Sequence, residues 1–390
     1  MSLRTDIAIV GGGIMGSALA YWLTKLDSGL DVTVIERDTT YAAASSTLSA
    51  ASIRQQFSTP INIRISQASI AFLRAIGEHL RIGDDEPEIA FVERGYLHLA
   101  TPDQEAILRQ AHGIQCANDA DIVLLDQDAL KTSFPWLNVD GLSLGSLGMS
   151  GEGWFDGYAL LSAFARKARE QGAKYLAAEV TGLELENGRV ARVTLHDGSH
   201  VSCGRLVNAA GPWARRVASC AGIDLPVHAR RRTVFVIACK AQLHRMPLVI
   251  DASGFWIRPE GRHFIAGIAP CIDRDDAPLE PEYELFETSL WPALAARIPA
   301  FEDAKLVRAW AGYYEMNVFD HNAIVGPHPE VENFFFLNGF SGHGLQQAPI
   351  VARGLAELIL SGEFRTLDLS AFSFRRIVEG RPLRELGVIG

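Results

Sequence analysis

The sequence has few cysteines, and their spacing excludes two kinds of stabilising site. Its 390 residues contain five cysteines, an odd number with no close pairing such as CxxC, at positions 116, 203, 220, 239 and 271. Such an odd, dispersed set indicates reduced thiols in a cytoplasmic compartment rather than a disulfide framework or a zinc site. We therefore expect no metal in this protein.

Basic charge is also scarce. Lys and Arg total 36 against 46 for Asp and Glu, so the formal net charge is −10. A surface that binds nucleic acid needs clustered Lys and Arg, and this composition argues against such a partner. The main basic run, Arg230 to Arg232, is interpreted as a solvated strand end rather than a binding patch.

No run of residues is typical of a membrane span or an export signal. The uncharged stretch from Ile7 to Leu23 contains three consecutive glycines and lacks a cleavage site. We therefore expect neither a transmembrane segment nor secretion. The sequence leaves open whether Met1, Ser2 and Leu3 belong to the natural chain.

The order of predicted elements indicates an α/β protein of two domains. The chain is 48% hydrophobic and long enough for two cores. The apolar run "DIAIV", a helical pattern over 14–26 and the run "DVTVIE" together predict a βαβ unit. A helix is predicted over 61–80, and another over 157–171, where Asp156 supplies the N-cap and Gly172 the stop signal.

The second half of the chain is richer in strand patterns. Asn187-Gly188 and Asp197-Gly198 are strong two-residue turns, and they predict a three-stranded antiparallel meander. Strand patterns continue over about 226–311, which predicts a second sheet with a helical stretch near 281–297. The strand "NFFFLN" and a helix over about 345–360 follow.

A glycine motif at the first strand–helix turn predicts a dinucleotide site. Gly11, Gly13 and Gly16 form GxGxxG, and Glu36 ends the next strand at the required distance. Gly11 permits the tight turn, Gly13 lets backbone N–H groups approach a pyrophosphate, and Gly16 permits close helix packing. Glu36 is expected to accept hydrogen bonds from the ribose of adenosine.

The motif alone does not choose between NAD and FAD. The following segment, "RDTTYAAASSTLSAASIRQQF", is rich in small and hydroxyl side chains, which suits close passage of a long cofactor. Many NAD-binding folds continue here into another βαβ unit instead. A flexible surface loop is the alternative interpretation of this segment.

Four motifs together give the chain a family resemblance. The GxGxxG motif, the small-residue segment ending in Ile53-Arg54, the meander closing on "LVNAAGPWA" and the loop "GFSGHGLQQAP" resemble the D-amino-acid-oxidase-like FAD-dependent oxidoreductases over nearly the whole chain. The resemblance is strongest to the sarcosine oxidase and dehydrogenase β-type branch. Through "IRQQFSTPINI", "WAGYYEMNVFDHNAIVGPHP" and "GFSGHGLQQAP" it is closer still to mitochondrial FAD-dependent oxidoreductase domain proteins implicated in complex I assembly.

The resemblance implies a discontinuous Rossmann-type FAD-binding domain of the glutathione-reductase-like kind and a mixed antiparallel-sheet substrate domain. We assign 1–85, 150–225 and 312–390 to the first and 86–149 and 226–311 to the second. It also implies the following contacts with FAD: Gly11, Gly13, Ile14, Met15, Gly16, Glu36, Arg37, Ser45, Ser46, Ser49, Ala50, Val180, Ala209, Gly211, Trp213, Gly342, His343, Gly344, Leu345 and Gln346. Trp213 is equally well explained as a packing residue.

The resemblance further implies roles at the flavin. The glycine loop before the last helix would lie against the pyrimidine edge, where backbone N–H groups and the helix dipole stabilise negative charge. Arg54 would bind a substrate carboxylate through its guanidinium, with a surface salt bridge as the alternative. His343 would orient the flavin or exchange a proton near pH 7, or merely be satisfied within the loop.

Other candidates line the expected pocket or depart from the family pattern. Tyr314, Phe255, Trp256 and Arg258 are pocket candidates, although strand aromatics are commonly core residues. Gln346 stands where relatives place a second, lysine carboxylate ligand. Tyr314 also stands where glycine-oxidase-like members carry a carboxylate-binding arginine, which argues against a D-amino-acid oxidase.

Two further departures concern the flavin itself. Tyr313 stands where some relatives have the cysteine that links FAD covalently, which implies non-covalent FAD. Ile265 replaces an oxygen-activating lysine, which favours a dehydrogenase over an oxidase.

These features predict an enzyme that oxidises a small secondary or N-methylated amino acid, such as sarcosine or proline, by hydride transfer to flavin N5. The electron acceptor is left open between oxygen, a quinone and a partner protein. One alternative is a FAD-dependent 2-hydroxy-acid dehydrogenase, for which His343 is the obvious base. The other is a flavoprotein that acts mainly in partner binding or assembly.

Overall fold

The computed structural model describes residues 3–241 and 243–387, so Met1 and Ser2 of the questioned leader lie outside the described residues. Within these ranges the strands are β1 Leu3–Val10, β2 Val32–Glu36, β3 Ser52–Ile53, β4 Val92–Glu93, β5 Tyr96–Ala100, β6 Ile122–Leu125, β7 Leu144–Gly148, β8 Gly153–Trp154, β9 Lys174–Ala177, β10 Val180–Glu186, β11 Arg189–Leu195, β12 His200–Asn208, β13 Val227–Ala238, β14 Leu248–Ile250, β15 Trp256–Glu260, β16 His263–Gly267, β17 Lys305–Asn317, β18 Ile324–Pro327 and β19 Phe334–Asn338.

The α-helices are α1 Ile14–Leu26, α2 Ser45–Leu48, α3 Pro60–Arg74, α4 Ile76–Leu80, α5 Glu105–Ala117, α6 Gln127–Ser133, α7 Gly157–Glu170, α8 Ala214–Ser219, α9 Trp291–Arg297, α10 Gly344–Ser361 and α11 Arg375–Val378. A π-helical turn over Phe286–Leu290 leads directly into α9. No helix in the described part of the chain is both long and apolar enough to cross a bilayer. The predicted cytoplasmic location stays a prediction.

The first sheet is built around β1. Its strand order is β10-β11-β12-β1-β2-β9, and β19 joins it by pairing with β12 and β18. β1 runs parallel to both β2 and β12, so both of its edges are paired. Ile7 and Ile9 point into the layer of α1, α7 and α10. Ala8 and Val10 point into the layer formed by the meander β10–β12 and α8. The predicted βαβ unit and meander are both present.

Local signals account for several helix ends. The Asp156 side chain accepts a hydrogen bond from the backbone N–H of Ala159 at 2.9 Å, which caps α7 as predicted. Gly172 follows the helix with a φ of 103°. The predicted helix 61–80 is instead two helices, α3 and α4, which meet at Ala75.

The second sheet has the strand order β17-β13-β16-β15-β14-β5-β7-β6. Its longest pairing joins β13 to β17, from Val227 opposite Asn317 to Ala238 opposite Lys305. α6, the π-helical turn and α9 cover one face and close a separate apolar core. The predicted boundary between 311 and 312 falls inside β17, because this strand stays paired with β13 to its end. The division into two domains stays a prediction.

The segment that carries α2 and Arg54 connects the two sheets. Trp310 on β17 donates its indole N–H to the Leu48 carbonyl at 2.8 Å. Arg258 on β15 donates to the Ala50 carbonyl at 2.7 Å. Both contacts join strands of the second sheet to the same short stretch. This stretch therefore links the two sheets.

A buried ion pair fastens the C-terminal segment to the first sheet. Arg376 donates to Asp320 from Nε at 2.7 Å and from Nη2 at 3.0 Å, and the Asp320 side chain is fully buried. Asn317 and the backbone N–H of Leu383 also donate to Asp320. The carboxylate therefore links β17, the loop after it and the residues beyond α11.

Replacing Arg376 with Met should lower the free energy of unfolding by about 3–5 kcal/mol, because Asp320 is left buried without its counter-charge. Denaturant unfolding at constant FAD measures this. Arg381→Met is the matched control, since Arg381 pairs with Glu379 on the surface, and it should change stability by less than about 1 kcal/mol. Equal losses in the two variants would contradict a special role for the buried pair.

Candidate active site

The glycine turn after β1 is shaped by close backbone packing. A Cβ on Gly16 would lie 1.9 Å from the Gly11 carbonyl oxygen, and a Cβ on Gly11 would lie 2.4 Å from that of Ala209. Gly11 also has a φ of 99°. A Cβ on Gly13 would come no closer than 3.6 Å, to the Ser46 hydroxyl. Gly11 and Gly16 thus serve packing, and Gly13 leaves an open backbone at the start of α1.

Glu36 holds the backbone around this turn. Its Oε2 accepts from the N–H of Gly12 at 2.7 Å, and its Oε1 accepts from the N–H of Asp38 at 2.8 Å. A carboxylate has about four acceptor sites, so both oxygens keep capacity for a ligand. The sequence predicted a ribose acceptor at this position, and the structure adds a role in shaping the turn.

Two adjoining cavities run from Glu36 to Arg54. The cavity beside Glu36, which we call the adenosine-side cavity after the contact predicted there, is lined by Gly11, Gly13, Ile14, Met15, Glu36, Arg37, Ser45, Ser46, Val180, Ala209, Gly211 and Trp213 among others. The cavity beside Arg54, which we call the flavin-side cavity after the predicted flavin contacts, is lined by Ser49, Ala50, Arg54, Gly342, His343, Gly344, Leu345 and Gln346 among others. Of the predicted cofactor contacts, Gly16 lies in neither lining.

The two cavities form one trough that fits a long dinucleotide. They share four lining residues, Ile14, Ser45, Ser46 and Glu315. The Ser45 hydroxyl is buried and has no hydrogen-bond partner among the described residues. Gly13, the N-cap of α1, makes no side-chain cap, although the Ile14 N–H donates to the Ser46 hydroxyl at 3.1 Å. The remaining backbone donors of the first turn are suited to an anionic diphosphate. The Arg37 guanidinium lies 3.6 Å from the centre of the Trp213 ring and forms one wall.

Arg54 is a buried cation at the far end of the trough. Only 7% of the residue is exposed, and Nη2 lies 3.0 Å from Nε2 of His343. The guanidinium is 4.9 Å from the centre of the Phe57 ring, and its Nε has no hydrogen-bond partner within the described chain. No carboxylate of the described residues forms an ion pair with it. The guanidinium therefore has no carboxylate in direct contact, although Glu152 is close enough to interact with its charge.

Gln346 and Tyr314 also reach the flavin-side cavity. Oε1 of Gln346 accepts from the backbone N–H of Arg54 at 2.8 Å, so this side chain fixes the Arg54 backbone. The Tyr314 ring packs on Gly342, where an added Cβ would lie 2.5 Å from the ring. Arg232 lies 5.2 Å from the centre of the same ring. The loop thus needs glycine at 342 to admit the ring.

His343 is a neutral acceptor in this arrangement. It is partly open to the cavity but lies deep below the protein surface, and this burial lowers its pKa to about 3, with the Arg54 charge adding to the effect. At neutral pH its Nε2 accepts from the Arg54 guanidinium. The expected proton exchange near pH 7 does not fit this environment, because the charged imidazole is disfavoured by burial and by a neighbouring cation.

Two of the predicted pocket residues do not line the cavity. Trp256 does, but Phe255 is fully buried in the core of the second sheet. Arg258 lies behind the wall, where it pairs with Glu260 and donates to the Ala50 carbonyl. The prediction placed both in the pocket because sequence proximity to Trp256 does not show which side chains face the core.

The structure adds lining residues that sequence reasoning missed. Tyr96 on β5, Arg232 on β13 and Glu315 on β17 all face the trough. Asp273 holds Arg232 through two hydrogen bonds, at 2.8 and 2.9 Å. A single charged residue within the otherwise uncharged stretch 309–317 was the available signal for Glu315. Tyr96 gave no distinguishing signal within "YLHLA".

The residues at two family-specific positions make contacts within the protein, and Tyr313 also lines the flavin-side cavity. Ile265 is buried and packs with Val234 and Val236. The Tyr313 hydroxyl donates to the Ala277 carbonyl at 2.6 Å. Among the described residues that line the two cavities there is no lysine and no cysteine.

A Rossmann-type sheet, a dinucleotide trough and a buried cation at its end define a dinucleotide-dependent oxidoreductase. The sequence profile of the DAO family, described as FAD dependent oxidoreductase, matches residues 6–358, and the chain belongs to this family. Its cofactor is accordingly FAD. It is related to enzymes that oxidise amino acids.

Three relatives show the range of the similarity. FAD-dependent oxidoreductase domain-containing protein 1 of Xenopus laevis is 42% identical, with 99% of this chain and 85% of that protein covered. Mitochondrial dimethylglycine dehydrogenase of Rattus norvegicus is 29% identical, with 92% of this chain and 43% of that protein covered. The crystal structure of L-proline dehydrogenase from P. horikoshii has a TM-score of 0.86 and is 27% identical, covering 98% of this chain and all of that one.

The ionisation of His343 predicts a pH dependence of stability. The folded pKa of His343, about 3, lies below the ordinary value of 6.5. Below pH 6.5 the imidazole therefore binds a proton in the unfolded chain but not in the native protein. Stability should therefore fall as the pH falls. His343→Gln should remove up to about 1.4 kcal/mol per pH unit of this slope between pH 6 and 4.5.

Denaturant unfolding at several pH values measures this slope. His244→Gln is the control, because His244 is exposed and solvent reaches its imidazole before and after unfolding. It should keep the wild-type slope. If His343→Gln kept it as well, the imidazole would be free to ionise in the native protein.

Proposed function

We propose that this protein oxidises a small secondary or N-methylated amino acid, removing hydride from a carbon next to nitrogen. The observation that carries the proposal is the buried Arg54, which faces the flavin-side cavity without an acidic partner among the described residues. A buried charge is costly unless it is paired, and a carboxylate pairs with guanidinium through two parallel hydrogen bonds. A substrate carboxylate is the partner that this site needs.

The charge in the cavity favours a neutral amine. Arg54 and Arg232 both line it, and Glu315 is the one acidic side chain among its described lining residues. Asp273 neutralises Arg232, so an ammonium group would be repelled mainly by Arg54, whereas a neutral amine keeps the lone pair that makes hydride loss favourable. The amine therefore loses its proton before or during binding. When bound, the flavin supplies the atom that accepts the hydride, N5.

Orientation is the main contribution of the side chains. Arg54 holds the carboxylate, His343 accepts from the Arg54 guanidinium, and Gln346 accepts from the Arg54 backbone. The carboxylate end of the substrate is thus held by Arg54, whose own position is fixed by His343 and Gln346. Such positioning converts an encounter into a near-unimolecular step. The product imine then hydrolyses in water.

The relatives support the same substrate class. Dimethylglycine is an N-methylated amino acid and proline is a cyclic secondary one, and the names of two relatives state these compounds. Both relatives are named as dehydrogenases. We infer a dehydrogenase here too, because Ile265 replaces the oxygen-activating lysine and no lysine lies in the described lining. The absence of a lining cysteine supports non-covalent FAD.

The proposal is tested by adding compounds to the oxidised holoprotein without oxygen and following bleaching of the flavin absorbance. At least one compound among sarcosine, other N-methylated amino acids and proline analogues should bleach the flavin. Lactate, malate and 2-hydroxyglutarate should not, since neutral His343 already accepts from Arg54 and is a poor base for a hydroxyl. Re-oxidation by air should be slower than by an artificial quinone.

Each other result identifies a different function. Bleaching by hydroxy acids alone would establish a 2-hydroxy-acid dehydrogenase. Bleaching by no compound in the panel would favour a role in partner binding or assembly. Rapid peroxide formation after bleaching would establish an oxidase.

Arg54→Ala should lower kcat/KM for the bleaching substrate by about two to four decades, or about 3–5 kcal/mol in transition-state free energy, because the carboxylate loses the cation that has no carboxylate partner of its own. FAD content should change little. Arg54→Lys should have a kcat/KM between those of wild type and Arg54→Ala, since lysine keeps the charge but loses the bidentate geometry.

Arg308→Ala is the control for loss of a positive charge, because Arg308 is exposed on β17. It should leave kcat/KM within about twofold of wild type. Full turnover in Arg54→Ala, or loss of flavin and unfolding, would show that Arg54 is a structural residue.

A further inference from the structure

Glu315 lies where the two halves of the trough meet. It is one of the four residues that line both cavities, between the end marked by Glu36 and the end marked by Arg54. The side chain is partly exposed to the trough and comes from the C-terminal half of β17. Its position along the trough is therefore central.

One carboxyl oxygen of Glu315 is used by the protein and the other is available. Oε2 accepts from the backbone N–H of Gly339 at 3.1 Å. Oε1 lies 3.8 Å from the point that a Cβ on Gly344 would occupy, beside the start of α10. No cation of the described residues forms an ion pair with this carboxyl. The second oxygen is thus directed to the space near the α10 N-terminus.

The chemistry of this carboxyl limits what it can bind. Burial raises the pKa of Glu315 to about 8, so at neutral pH it carries a proton and offers an O–H donor. A protonated carboxyl also avoids repulsion with a nearby diphosphate. Neutral hydroxyl groups, which both donate and accept, suit such a partner.

We propose that Glu315 binds the hydroxyl-bearing ribityl chain of FAD, the part that joins the diphosphate to the ring system. The ribityl chain is the central segment of the cofactor, as Glu315 is the central residue of the trough. The contact would fix the position of the flavin half of FAD relative to the adenosine half. This inference depends on FAD as cofactor and is independent of the proposed substrate.

Two substitutions separate this role from packing. In Glu315→Gln the amide oxygen can accept from Gly339 and the amide N–H can face the trough, which reproduces the protonated acid. Glu315→Leu keeps similar bulk and loses both functions. Dissociation of FAD from the diluted full-length holoprotein, followed by the rise of free flavin fluorescence, compares the variants.

Glu315→Leu should raise the Kd for FAD about 5- to 20-fold, the effect of one lost hydrogen bond in a buried site. Glu315→Gln should stay within about threefold of wild type. Titration of the FAD-stripped chain with FMN and with ADP locates the contact. Glu315→Leu should weaken FMN and leave ADP unchanged, whereas Glu36→Ala should weaken ADP and leave FMN unchanged.

Glu302→Leu, at an exposed position, controls for loss of an acidic side chain and should bind FAD as wild type does. Unchanged FAD affinity in Glu315→Leu would overturn the proposal, and equal weakening of ADP and FMN would too. Near-ultraviolet circular dichroism of each stripped variant checks its folding. If Glu315→Leu is unfolded, weakened FMN binding by Glu315→Ala with ADP unchanged supports the proposal, and unchanged FMN binding overturns it.

Discussion

The contact between the backbone of α1 and the glycine turn sets the position of most other parts of the site. A Cβ at residue 16 would lie 1.9 Å from the carbonyl oxygen of Gly11, so α1 reaches the turn only because Gly16 has no side chain. α1 in turn positions α10, since Trp22 donates its indole N–H to the Pro349 carbonyl at 2.7 Å. The start of α10 carries His343 and Gln346, the partners of Arg54. A backbone approach at one end of the trough thereby determines where Arg54, His343 and Gln346 lie at the other end.

A buried acid, Glu152, fixes the backbone next to Arg54. Glu152 accepts from the backbone N–H groups of Gln55 at 2.7 Å, Gln56 at 3.1 Å and Tyr96 at 3.1 Å. Burial raises the pKa of Glu152 to about 7, and these donors oppose the rise. The carboxyl thus joins the segment after Arg54 to β5 of the second sheet. The backbone at Arg54 is thus fixed by Gln346, and the two residues after it are fixed by Glu152.

Features that depend on neighbouring residues could be predicted from the sequence. The glycine motif, the Asp156 cap and the turn at Asn187-Gly188 are local, and each is present. Features that depend on distant pairing could not. Tyr96 reaches the cavity because β5 runs parallel to β14, and Glu315 does so because of the long register between β13 and β17. The ionisation of His343 depends on burial, which no spacing reveals.

The topology of the first sheet has a consequence for synthesis of the protein on the ribosome. β1 emerges first, but its parallel partner β12 comes from the middle of the chain, and β12 pairs with β19. α10, which follows β19, covers α1 and supplies part of the trough wall. Long-range pairings of this kind cannot form until both strands exist. Nascent chains lacking the last quarter therefore lack α10 and leave exposed the apolar face of α1 that α10 covers, so the wall of the trough is complete only once the last quarter has been made.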